Sequence, residues 1–203
     1  MARASKDSIS DFHEYGIHVP SRTIQFPYIE GECDIGQASV NRTISNFHLL
    51  ETMSTASPIT LLLNSYGGDV YQALGLYDFI RSLNSEVHIK ALGACMSGAT
   101  LILQAGDKRI ISANTTFMLH VGTESHDDHQ KNVYRWAVHG ERVIKPKMKE
   151  IYASRMVKKP KESVNQLSNR IDSLMDFDTI LTADQVIALG LADELVPVTY
   201  FTK

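Results

Sequence analysis

The sequence predicts an α/β protein built on a largely parallel sheet. Three observations carry that expectation. The middle of the chain alternates short apolar runs with amphipathic stretches, in the order strand, helix, strand, helix, strand, and such alternation builds parallel sheets with right-handed crossovers. Ile59-Thr60-Leu61-Leu62-Leu63 is almost wholly apolar, as in a strand covered on both faces. Glycine-bearing turns follow two of the strand-like runs, at Gly67-Gly68 and at Ser97-Gly98.

Residues 1–22 are polar and irregular and read as a flexible arm or a loop that orders on contact. Arg22 to Ile29 reads as a first strand, broken by Pro27. From Asp34 to Met53, Ile35, Val40, Ile44, Phe47 and Leu50 recur at helical spacing, and Asp34 can cap the start. After Ser57-Pro58 comes the apolar strand, then the turn Asn64-Ser65-Tyr66-Gly67-Gly68-Asp69. Adjacent glycines let a backbone present two N–H groups to one point. Val70 to Leu83 is a helix and Val87 to Ala91 a strand. Small residues surround Ser97, and Ala99 to Gln104 is a short buried helix. Arg109-Ile110-Ile111 and Thr116 to Leu119 are further strands, the second ending at His120. Asp127 to Arg155 is a long, charged helical stretch. Pro146 inside it predicts a kink or break near Ile144-Lys145, and its apolar stripe predicts packing against a second subunit. Val157 to Pro160 is a linker, and Lys161 to Asp172 a short helix. Thr182 caps a helix that ends at Gly190, and Leu195 to Val198 is a last strand.

Length and composition narrow the function. A chain of 203 residues with 43% hydrophobic and 21% charged residues suits one soluble domain. A net charge of −3 argues for neither nucleic acid nor an anionic membrane as partner. Cys33 and Cys95 make no disulfide framework, which favours a reducing, cytoplasmic setting. The N-terminus has no apolar signal core, no run is long enough to span a bilayer, and no zinc spacing or phosphate-binding loop is present. No cofactor is expected.

The chemistry follows from position. In parallel sheets, sites lie at the carboxyl ends of strands, and Gly67-Gly68, Ser97 and His120 each fall just after a predicted strand. A serine at a helix N-terminus sits where free N–H groups favour a developing oxyanion; the plainer reading is close helix packing. A serine nucleophile needs a base, and the base an orienting carboxylate. His120 is best placed as base, although a strand-end histidine is more often structural. Histidines 126, 129 and 139 lie on a polar stretch and read as solvated; the spacing of His120, His126 and His129 does not favour a metal. Asp172 and Asp176, followed by Asp178, are the candidate carboxylates, and position does not choose among them.

Four segments resemble the Clp protease proteolytic subunits, in order and spacing over about residues 20 to 197. Asn64-Ser65-Tyr66-Gly67-Gly68-Asp69-Val70 is similar to their glycine turn, and Leu92-Gly93-Ala94-Cys95-Met96-Ser97 to their nucleophile segment. Phe117-Met118-Leu119-His120 is similar to their histidine segment. Leu181-Thr182-Ala183 through Gly190-Leu191-Ala192-Asp193 resembles their closing motif. The resemblance implies a ClpP/crotonase-type fold over residues 23–203, with a protruding handle helix at about 125–155. It implies a serine endopeptidase with Ser97 as nucleophile and His120 as general base. The N–H groups of Gly68 and Gly98 would form the oxyanion hole. With two residues inserted before Leu181, Asp172 takes the place of the family's acid; a gapless alignment puts Leu174 there.

The resemblance further implies two stacked seven-membered rings of the chain itself. An AAA+ unfoldase of the ClpX or ClpA type would feed in unfolded protein and would be the only user of ATP. Tyr66 stands in place of the family's proline, Gly98-Ala99 in place of Met-Gly, and Thr60 and Leu62 where many relatives carry the tyrosines that dock the ATPase. The changed docking residues keep open a phage-type head-maturation protease, and the unassigned carboxylate keeps open an inactive structural ring subunit. Ser97 and His120 in these motifs argue against a crotonase-type acyl-CoA enzyme.

Overall fold

The computed structural model describes residues 6–28, 34–122 and 129–197. Cys33, His126, Ile29, Val198 and the start of the long helix at Asp127 lie outside them. The chain alternates strands and helices around one mixed sheet, parallel over most of its width.

The first segment differs from an irregular arm. Helix α1 (Lys6–Tyr15) leads into strand β1 (Ile17–His18), which pairs antiparallel with β2 (Thr23–Phe26). Arg22 lies between them with φ of 50°. Its guanidinium donates to the carbonyls of Leu50 and Ser54, so it closes the C-terminal end of α2 (Gln37–Met53), where free carbonyls attract a cation. At the other end of α2, Asp34 is not the cap. Ser39 reaches back, its Oγ accepting the Gly36 N–H at 3.1 Å. Phe47 and Leu50 of α2 are fully buried against the sheet, each stabilising the fold by roughly 1.5–3 kcal/mol on leaving water.

Strand β3 (Ile59–Ser65) pairs parallel with β2 and with β4 (Val87–Met96), and helix α3 (Val70–Ser82) crosses between β3 and β4. Strand β4 runs five residues beyond the predicted Ala91. Its first half pairs with β5 (Lys108–Ser112) and its second half with β6 (Thr116–Leu119). The strand changes partner at Gly93, whose φ of 59° suits a bulge. The Asn64 side chain fills that bulge and accepts the Ala94 N–H at 3.0 Å. A Cβ on Gly93 would lie 2.9 Å from the Asn64 oxygen. The bulge therefore re-aims the end of β4, and with it Ser97.

Beyond β6, helix α5 (Gln130–His139) runs through a π turn (Gly140–Ile144) into α6 (Lys145–Ala153). Pro146 does not break this helix. The wider turn just before it absorbs the missing donor, with Lys145 N–H bonded to Gly140 O and αR backbone on both sides, a usual way for helices to accommodate such an irregularity. Helix α7 (Val164–Met175) packs on α6. Strand β7 (Thr179–Leu181) pairs antiparallel with β6, helix α8 (Ala183–Leu189) ends at Gly190 in αL, and β8 (Glu194–Val196) pairs with β5. A polar cluster ties this end down. Arg109, 5% exposed, bonds Asp193, Gln104 and the Gly190 carbonyl.

Candidate active site

Three turns expected on one sheet edge meet there. Ser97 occupies the step from β4 into α4 (Gly98–Ala105), with φ 52° and ψ −126°. A non-glycine residue in that region stores strain that its surroundings must hold, and the geometry lifts a nucleophile clear of the strand. The Ser97 N–H donates to the Met118 carbonyl at 2.7 Å, so β6 fixes the turn.

The turn after β3 leans directly on Ser97. Gly67 has φ of 110°, and a Cβ there would lie 2.6 Å from the Ser97 Cβ; Gly68 has φ of 141°, and its Cβ would lie 2.5 Å from the Ile35 carbonyl oxygen. Only glycine fits either place. A parallel bridge joins Ile35 to this turn through Ile35 N–H to Gly67 O (2.7 Å) and Asp69 N–H to Ile35 O (2.9 Å). Neither bond uses the Gly68 N–H. Gly98 is the first residue of α4, where an N–H has no intrahelical acceptor. Both glycines line the same cleft as Ser97.

His120 joins the group through both ring nitrogens. Nε2 lies 2.8 Å from Ser97 Oγ and Nδ1 2.8 Å from Asp178 Oδ1. A carboxylate only accepts, so Nδ1 carries the proton and Nε2 is the acceptor for the serine hydroxyl. His129 serves instead as a helix cap, its Nδ1 accepting the Lys131 N–H.

Asp172 is not in this group. It lies on α7 with its carboxylate 2.6 Å from Lys149 Nζ on α6, a helix–helix ion pair. Asp176 closes the C-terminus of α7 and is exposed, and Leu174 packs beside the core. The carboxylate on His120 is Asp178, ranked last among the three by sequence. The signal that finds it is Thr179-Ile180-Leu181, a β-prone triplet too short to register as a strand alone. Paired antiparallel with Phe117 to Leu119, it sets the residue before it against the residue after them.

Ser97, His120, Gly68 and Gly98 line a cleft of about 710 Å³. Leu101, Met118, Ile144 and Met148 give it an apolar surface, and the π turn adds Glu141 and, at its end, Lys145. Tyr66 stands 65% exposed at its edge.

Comparison with known proteins agrees with the fold. The family model described as Clp protease matches residues 17–199. The chain is 29% identical over 161 residues to the ATP-dependent Clp protease proteolytic subunit 6, chloroplastic, of Arabidopsis thaliana, covering 78% of this chain and 56% of that protein. It is 26% identical over 164 residues to the ATP-dependent Clp protease proteolytic subunit 1 of Corynebacterium glutamicum, covering 79% and 74%. The chain thus spans little more than half the length of the Arabidopsis relative. With a family match over nearly all its length and a mostly parallel α/β sheet beneath it, this chain belongs to the Clp protease family.

Proposed function

We propose that this chain is the proteolytic subunit of a Clp-type protease, a serine endopeptidase acting on unfolded protein. The observation that carries this reading is the unbroken relay from Ser97 Oγ through His120 to Asp178, with 2.8 Å at each step. Ser97 Oγ attacks the scissile carbonyl while His120 Nε2 takes its proton. Asp178 holds the ring tautomer and stabilises the imidazolium. The N–H groups of Gly68 and Gly98 receive the oxyanion. His120 then protonates the leaving amine, and water, activated by the same nitrogen, hydrolyses the acyl-enzyme.

The motive for an inactive ring subunit is a missing acid, and Asp178 supplies one. Both relatives are named as ATP-dependent proteases. ATP use would belong to an AAA+ unfoldase partner of the ClpX or ClpA type. Among the described residues no helix is long and apolar enough to cross a membrane, and the proposed setting is cytoplasmic. Helix α5 has no buried residue and exposes Tyr134 and Trp136, which suits burial between two stacked seven-membered rings.

The test is intact-mass labelling with a serine-directed fluorophosphonate. The expected result is one adduct per chain, absent in Ser97→Ala and slowed at least tenfold in His120→Ala and Asp178→Asn. A wild-type chain that forms rings but takes no adduct would overturn the reading.

A further inference from the structure

A buried chain of hydroxyls connects the long helix to the Ser97 turn. Tyr152 on α6 is 1% exposed, and its hydroxyl lies 2.7 Å from Thr100 Oγ1. Thr100, fully buried on α4, gives its own hydroxyl to the Ser97 carbonyl at 2.6 Å and its N–H to the same oxygen at 2.9 Å. A carbonyl has no proton to offer, so the one hydroxyl proton of Thr100 is committed to Ser97. Tyr152 is therefore the donor in the other bond. The chain has a single direction: Tyr152 to Thr100 to Ser97.

What this holds is one peptide plane. The Ser97 carbonyl and the Gly98 N–H belong to the same planar trans peptide and point in opposite directions. Two donors that keep the carbonyl inside α4 set the direction of the Gly98 N–H away from the helix interior, on the side where Gly98 lines the cleft. Donation to the carbonyl also polarises the peptide and strengthens its N–H as a donor. The strained φ of Ser97 persists only where neighbours over-determine it, and these bonds are among them.

We propose that Tyr152 and Thr100 are positioning residues for the oxyanion donor, fixing the Ser97–Gly98 peptide plane and coupling it to α6. This rests on the roles proposed above for Ser97 and Gly98. Thr100 lies three residues after Ser97, the spacing at which a hydroxyl back-bonds to a helix-start carbonyl; Tyr152 has no sequence signal of its own.

The experiment is steady-state cleavage of a short fluorogenic peptide by the assembled full chain, with kcat expressed per active site titrated by fluorophosphonate. Removing an oxyanion donor outright costs about 10²–10³ in kcat, so a donor left in place but released should cost less. Thr100→Val should lower kcat per site about 10–100-fold, and Tyr152→Phe about 3–10-fold, both with KM within about twofold of wild type. Thr100→Ser, which keeps the hydroxyl, should restore kcat. A merely structural role would reduce the number of titratable sites and leave kcat per site unchanged; that result overturns the proposal. If Thr100→Val does not assemble, the near-isosteric Tyr152→Phe decides by the same readout. Turnover that Ser97→Ala abolishes, with both positioning variants at wild-type kcat per site, would sink this proposal alone. Wild-type turnover that survives Ser97→Ala would sink the underlying reading with it.

Discussion

His120 and Asp178 face each other on the next rung of the ladder that pairs β6 with β7. Leu119 opposes Thr179 in that ladder, so the residue that follows one strand meets the residue that precedes the other, and their side chains bond at 2.8 Å. The backbone register, and not a long side chain reaching across a loop, brings the carboxylate to the ring. Asp178→Asn keeps the shape but removes the acceptor that fixes the tautomer. We expect kcat to fall by about 10²–10⁴, with peptide KM nearly unchanged. Asp172→Asn should leave kcat within about twofold and lower the melting temperature slightly through the lost Lys149 pair, since part-exposed pairs contribute only about 0.2–1 kcal/mol. Steady-state kinetics and a melting curve on the two variants separate them; the reverse ranking would return the acid to α7.

The strands that carry Ser97 and His120 are legible because apolar runs and glycine turns are local signals. Thr116 to Leu119 is a strand with the bounds read from sequence, and Thr182 to Gly190 keeps both its cap and its stop. The carboxylate that meets His120 is not legible. Strand β7 has three residues, too few for periodicity, and it exists because β6 offers an edge to pair with. The extension of β4 is hidden for a similar reason. The strand reads as ending at Ala91, yet Asn64, far from Gly93 in sequence, stabilises Gly93 as a bulge inside a longer one. Pro146 predicts a kink or break near Ile144-Lys145, and what forms there is a change in turn width that composition does not encode.

Two glycine substitutions should have opposite outcomes. Gly68→Ala puts a Cβ 2.5 Å from a backbone oxygen at φ of 141°, so the turn must move and its N–H with it. We expect activity to fall at least a hundredfold, as for a lost oxyanion donor, together with a stability loss of about 1–3 kcal/mol. Gly75 lies on the exposed side of α3, and a Cβ there would meet nothing within 4 Å. Gly75→Ala should raise stability by about 0.5–1 kcal/mol and leave activity alone. Urea titration and peptide cleavage of each variant make the comparison.

Helix α5 leaves large apolar side chains open to solvent. Trp136 is 44% exposed and touches His139 edge-on, while His139 stacks on Tyr71 near the cleft. If this helix interlocks two rings, Trp136→Glu places a charge in that contact and should convert the double ring to a single one. Sedimentation velocity would then show about half the wild-type mass, since a desolvated unpaired charge costs several kcal/mol at each copy. An unchanged mass would assign the exposed face to something other than ring stacking.

The Arg109–Asp193 pair predicts a pH-dependent stability with a definite sign. Burial alone would raise the Asp193 pKa, but the hydrogen bonds from the Arg109 side chain and backbone outweigh it and hold the carboxyl below its ordinary value. A depressed carboxylate contributes its full stability above the unfolded pKa of about 3.9 and loses it as pH falls through the lower folded value. Asp193→Asn leaves the Arg109 guanidinium, 5% exposed, without its charge partner. Breaking a buried pair costs about 3–5 kcal/mol; because the Asp193 side chain is 40% exposed, we expect less, about 2–3 kcal/mol. Urea midpoints of wild type and Asp193→Asn should therefore differ by a constant amount from pH 8 to pH 5, and the gap should close below about pH 4. A gap that widens on acidification would mean that the carboxylate is destabilised in the fold, and that Arg109 is held by Gln104 and the Gly190 carbonyl alone.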